Sequence, residues 1–105
     1  MDEGAEKRIK TIRSKVREER ELISNLESTV TDQNLRRLLR PATHLLDKVE
    51  GFFLNPKILQ EDRTPGALAK WLREGEKMLQ LAVQQRKSFE LIIKKFGPNA
   101  RLISG

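Results

Sequence analysis

Between residues 3 and 30, Ile9, Ile12, Val16, Ile23, Leu26 and Val30 recur at steps of three and four, and the slot at position 19 is filled by glutamate. That period lays one apolar stripe along a helix and leaves the other faces to solvent, so the segment predicts a single long helix with a heptad-like seam. Glu3 with Lys7, Glu6 with Lys10 and Arg17 with Glu21 stand one turn apart on the polar faces. Such pairs contribute only about 0.2–0.5 kcal/mol each, and they solvate the helix rather than perform chemistry.

Thr31-Asp32-Gln33-Asn34 supplies side chains suited to ending one helix and capping the next, and Leu35, Leu38 and Leu39 resume a helical pattern. Pro41 lacks an amide hydrogen and disfavours the α conformation at Arg40, so a break or a bend is expected near residue 40. Leu45, Leu46, Val49, Phe52 and Phe53 then form another apolar face, which Asn55-Pro56 ends. Residues 54–64 read as a connecting loop from which Ile58 and Leu59 tuck against the bundle.

Thr64-Pro65 is a capping hydroxyl followed by proline at the first helical position, where a missing amide hydrogen costs nothing. The stripe that follows runs Leu68, Trp71, Leu72, Gly75, Met78, Leu79, Ala82, Phe89, Ile92, Ile93 and Phe96, with Leu81 and Val83 at its edges and Gly97-Pro98 as its stop. Gly75 and Ala82 are small enough to admit a close neighbour. Lys94 and Lys95 complement the dipole in the last turn. In the tail, Leu102 and Ile103 offer apolar side chains for packing.

Together these elements predict an all-α fold: an antiparallel up-down-up bundle of three long helices, the middle one broken or kinked near Pro41, or four helices if that break is complete. With 105 residues the chain has the size of one domain, 1–105. Helices that begin and end so near its limits suggest a domain excised from a longer protein. Apolar residues at 37% against 34% charged suit helices that each bury one stripe better than a barrel or sandwich.

Zero cysteines remove disulfides, thiolate metal sites and thiol nucleophiles, and they agree with an intracellular setting. No stretch approaches the roughly 18 apolar residues of a membrane span. His44 is the one histidine, so catalytic dyads, triads and histidine-based metal sites lack partners. Glu18-Glu19, Glu61-Asp62 and Glu74-Glu76 are the nearest approaches to a carboxylate pair, but neighbours on a helix point in different directions and nothing places a substrate between them. The six glycines form no phosphate loop. The reading is of a protein with no enzymatic role, no metal, no cofactor and no small-molecule substrate.

Charge points to binding. The formal net charge is +6 with a pI near 10.0; residues 1–50 carry net +1 and residues 51–105 net +5. At about 100° per residue, Lys70, Arg73, Lys77, Lys87 and Lys95 fall within about 100° of one another on the last helix, with no acid in that sector. This stripe is read as a partner-binding surface, against the alternative of a solvated face. Leu91, off the core side, is a further candidate contact. The expected partner is a protein with an acidic surface in an intracellular assembly, in the nucleus ahead of the cytoplasm. The alternative is a nucleic acid contacted through its phosphates. Finally, Glu19 and Arg86 occupy apolar slots at similar heights, positioned either to pair across the seam or to reach solvent separately.

Overall fold

The computed structural model describes residues 3–61 and 63–99. Leu102 and Ile103 lie outside the described residues, as does Asp62 of the Glu61-Asp62 pair. Every regular element among the described residues is helical, so the fold is all-α. Helix α1 spans Glu3–Thr29. A composite rod follows without interruption: α2 (Gln33–Arg36), a 3-10 turn (Arg37–Leu39), α3 (Arg40–Lys48) and a π turn (Val49–Phe53). The short α4 (Pro56–Leu59) leads to α5 (Pro65–Phe96).

Local chemistry accounts for the boundaries. The Asp32 side chain accepts from Leu35 N at 3.1 Å, starting α2, and Thr64 Oγ1 accepts from Ala67 N at 3.2 Å, starting α5. Gly97 ends α5 at φ 85° and ψ 159°, a conformation reserved almost wholly to glycine, and its N–H reaches Ile93 O at 2.7 Å. Of the break or bend expected near Pro41, no break occurs, and the irregularity takes the form of a 3-10 turn. Proline leaves the Arg37 carbonyl without its usual partner; the Arg40 N–H takes it instead, tightening that turn to 3-10, and the helix continues through Pro41. Eight residues on, the Leu54 N–H reaches back to Val49 O at 2.9 Å and widens the last turn to π geometry. Residues 54–64 are likewise more than a loop: Asn55 Oδ1 accepts from Lys57 N at 3.0 Å and Pro56 opens α4, which buries Leu59.

The registers follow from side chains that bridge elements. Arg8 meets Glu76 and Glu19 meets Arg86, so α1 and α5 advance together. Arg20 reaches Asp47 and Glu50, whereas Arg13, earlier on α1, shares a cleft with Pro56, so the rod advances against α1. The molecule measures 50 × 24 × 17 Å, its long axis matching the roughly 48 Å expected of α5 at helical rise.

The core lies where the three stripes meet: Ile12 and Val16 of α1, Leu39, Ala42 and Leu46 of the rod, and Leu72, Ala82 and Phe89 of α5 are all buried. Each large member contributes about 1.5–3 kcal/mol through burial. Gly75 is the closest approach: a Cβ there would lie 3.1 Å from Phe53 Cβ. The apolar stripes are wider than the contacts available to them, however. Leu38, Phe52 and Leu81 remain largely exposed, and so does Phe96, which stands level with the last residue of α1, where the bundle runs out of neighbours.

Candidate interaction surface

Helix α5 presents three faces with different fates. Its inner face is core. On the face toward α1 the acids Glu76 and Glu90 are each engaged by an arginine, Arg8 from α1 and Arg86 from α5 itself. The outer face carries the stripe of Lys70, Arg73, Lys77, Lys87 and Lys95, every member exposed. Among the described residues Lys70, Arg73 and Lys87 have no carboxylate within ion-pair distance. Lys77 does: its Nζ lies 3.4 Å from Glu74 Oε1, so an acid at the border reaches into the sector that the helical wheel left free of acids. Lys95 lies over the Phe96 ring at 5.4 Å. Leu91, 66% exposed, stands between the basic residues of the C-terminal half.

The charges on the seam behave differently. Arg86 Nε donates to Glu19 Oε2 at 2.7 Å and Nη2 to Oε1 at 2.8 Å, a bidentate fork, while Nη1 donates to Glu90 Oε1 at 2.6 Å. Both partners in the fork are buried, at 6% and 8% exposure. The hydrogen bond with Glu19, opposed by burial and assisted by Glu90, holds the Arg86 guanidinium well above the ordinary arginine value. Ala82, one turn earlier, is fully buried. At a second bridge burial pulls the Arg20 guanidinium down, but its bonds to Asp47 and Glu50 outweigh this and raise it overall. The i,i+4 pairs anticipated on α1 do not close within ion-pair distance; Arg8 and Arg20 reach across to neighbouring elements instead.

No family, curated protein or solved structure matches the chain. Its chemistry therefore has to be read from these side chains.

His44 is exposed on α3. Among the described residues no group of three or more histidine, cysteine or acidic side chains is gathered closely enough to hold a metal, and no helix is long and apolar enough to cross a membrane. A cleft of 410 Å³ between α1 and α5 has the Glu19–Arg86 pair among its lining, with Lys15 and Glu18 at its edge. Its charges are already paired or solvated.

One arrangement went unread in the sequence. Trp71 Nε1 donates to the Phe53 carbonyl at 3.0 Å, a group that the end of the rod leaves free, and the indole packs against Phe52 and Phe53 with ring centroids 4.9 Å away in both cases. Arg63 covers the same indole at 4.7 Å while its Nη1 donates to Ile58 O at 2.6 Å. The signal available was two adjacent phenylalanines at a helix end and the single tryptophan early in the next helix. Nothing in periodicity says that they meet.

Proposed function

We propose that this chain is a non-catalytic helical interaction module, an up-down-up bundle of α1, the rod and α5, that binds an acidic protein surface through the outer face of α5. It acts within a larger intracellular assembly, with the nucleus ahead of the cytoplasm. The observation that carries the reading is how the bordering acids are spent. Glu76 and Glu90, the residues best placed to neutralise the stripe from the α1 side, are held by Arg8 and Arg86. Glu74 meets Lys77, but Lys70, Arg73 and Lys87 have no acid within ion-pair distance among the described residues, and the field they keep favours an acidic partner.

The spacing of the stripe supports a protein over a nucleic acid. Between Lys77 and Lys87 the outer face carries Gln80, Leu81 and Gln84, an uncharged stretch of roughly 15 Å at helical rise. Phosphates spaced evenly along a strand would find no cation there. The nucleic-acid alternative draws on the overall reach of the stripe, roughly 38 Å from Lys70 to Lys95.

The deciding experiment is fluorescence anisotropy of labelled polyglutamate and of labelled duplex DNA with the wild type and with the triple variant Lys70→Glu, Arg73→Glu, Lys77→Glu. Binding of polyglutamate by the wild type, lost in the variant at an unchanged melting temperature, supports the proposal. Preference for DNA with a steep salt dependence supports the alternative. Undiminished binding by a folded triple variant reduces the stripe to a solvated face.

A further inference from the structure

Among the described residues, Leu38, Phe52 and Leu81 are exposed large apolar side chains on one side of the molecule, apart from Leu91 and Phe96. Phe52 is 43% exposed and rests on half-buried Trp71. Leu45 and Leu38 precede Phe52 by seven and fourteen residues, steps of two turns each, and so share its edge of the rod. On α5 the half-buried Met78 lies two turns beyond Trp71, and Leu81, 50% exposed, lies three residues further, about 60° toward the outer face. Because Asp47 and Glu50 mark the opposite edge of the rod, turned to Arg20, these side chains line the outer side of the angle between the rod and α5.

The rims of this trough are basic. Lys48, three residues after Leu45, and Arg37, three turns before Lys48, border it on the rod, and neither forms an ion pair among the described residues. Lys70 and Lys77 border it on α5. Asp47 and Glu50 are turned away to Arg20, and Glu74, the acid on the α5 rim, lies 3.4 Å from Lys77, which leaves Lys70 the unpaired cation of that rim.

Building on the acidic-partner reading above, we propose that this trough is the docking site for an acidic amphipathic helix of a partner protein. Apolar contacts two turns apart match the i, i+3/i+4, i+7 anchors of a helix laid in a groove, and cations on both rims match acids on both flanks of that helix. From Leu38 to Phe52 is roughly 21 Å at helical rise, about four turns of a partner. A second copy of this chain is a poor occupant, since it would bring its own basic rims against these.

Trp71 is the only tryptophan and the chain has no tyrosine, so its emission reports on the trough directly. The probe is a synthetic, dye-labelled 18-residue helical peptide free of tryptophan and tyrosine, with leucines on one face and glutamates elsewhere. A scrambled peptide of the same composition, polyglutamate and duplex DNA are the comparisons. The amphipathic peptide is expected to bind saturably with a blue shift of Trp71, and the scrambled peptide at least about tenfold more weakly. Leu38→Gln and Leu81→Gln, both at exposed positions and checked for helicity, should each weaken binding about tenfold. Lys87→Glu with Lys95→Glu, away from the trough, should cost less.

Equal binding of both peptides, binding without a change in Trp71 emission, or no binding of the amphipathic peptide overturns the trough as the site. The stripe reading stands or falls separately, on whether polyglutamate binds and whether the triple variant Lys70→Glu, Arg73→Glu, Lys77→Glu loses that binding.

Discussion

Arg86 and Arg73 belong to the same helix, about 140° apart in azimuth, and the same guanidinium serves two ends. Arg86 points inward, is 8% exposed, and spends its donors on Glu19 and Glu90. Arg73 points outward and has no ion-pair partner among the described residues. The inner charge is costly to bury, and its bidentate fork with Glu19 joins α5 to α1. The outer charge costs little to hold and makes no ion pair among the described residues, so it is open to a partner from outside. Net charge alone would treat the two as equal; burial separates a structural cation from one available to a partner.

The largest effects on stability are expected at the seam. Glu19→Ala or Arg86→Ala leaves its partner buried and uncompensated, and each should cost about 3–5 kcal/mol in chemical denaturation. The double variant should cost less than the two singles combined, with a coupling of about 0.5–3 kcal/mol. Additive losses would mean that the fork does not set register. Replacing the pair by Glu19→Leu with Arg86→Met should come out near neutral, because well-packed apolar groups avoid the desolvation cost altogether.

Glycine offers a smaller version of the same test. Gly75→Ala adds a methyl 3.1 Å from Phe53 Cβ and 3.2 Å from its Cγ, and Phe53 is itself held between the core and Trp71. The crowding should outweigh the gain in helix propensity and cost about 1 kcal/mol. At Gly51, on the open side of the π turn, a Cβ meets nothing within 4 Å. There Gly51→Ala should raise stability by about 0.5 kcal/mol, read as a higher melting temperature. The smallest effect on stability belongs to the stripe: the triple reversal at Lys70, Arg73 and Lys77 should stay within about 0.5 kcal/mol of the wild type while altering binding most. A large loss of stability there would place those cations among the structural ones.

Much of this was legible along the chain. The caps at Asp32, Thr64 and Gly97 are local chemistry, and the stripes of α1 and α5 are periodic enough to announce both helices. The failures were also local in origin and tertiary in outcome. Pro41 signals an irregularity, but whether the chain breaks there or tightens depends on what holds the helix on either side. Leu39, Ala42 and Leu46 are buried on either side of Pro41, and a 3-10 turn absorbs the proline. Phe96 has the right phase for the core but stands at the end of the bundle, and phase says nothing of where neighbours stop.

The all-helical class, the extent of the two long helices and the presence of two charges in apolar slots follow from the order of residues alone, because hydrophobic period and capping act within a few residues of themselves. The packing of the helices is what brings Glu19 to Arg86, closes the end of the rod with Trp71 on Phe53, and draws Glu76 and Glu90 away from the outer stripe. Each of these joins residues far apart along the chain, and their energies depend on burial and on the direction of a partner's polar atoms. Periodicity counts positions around one helix; it does not measure the distance to the next.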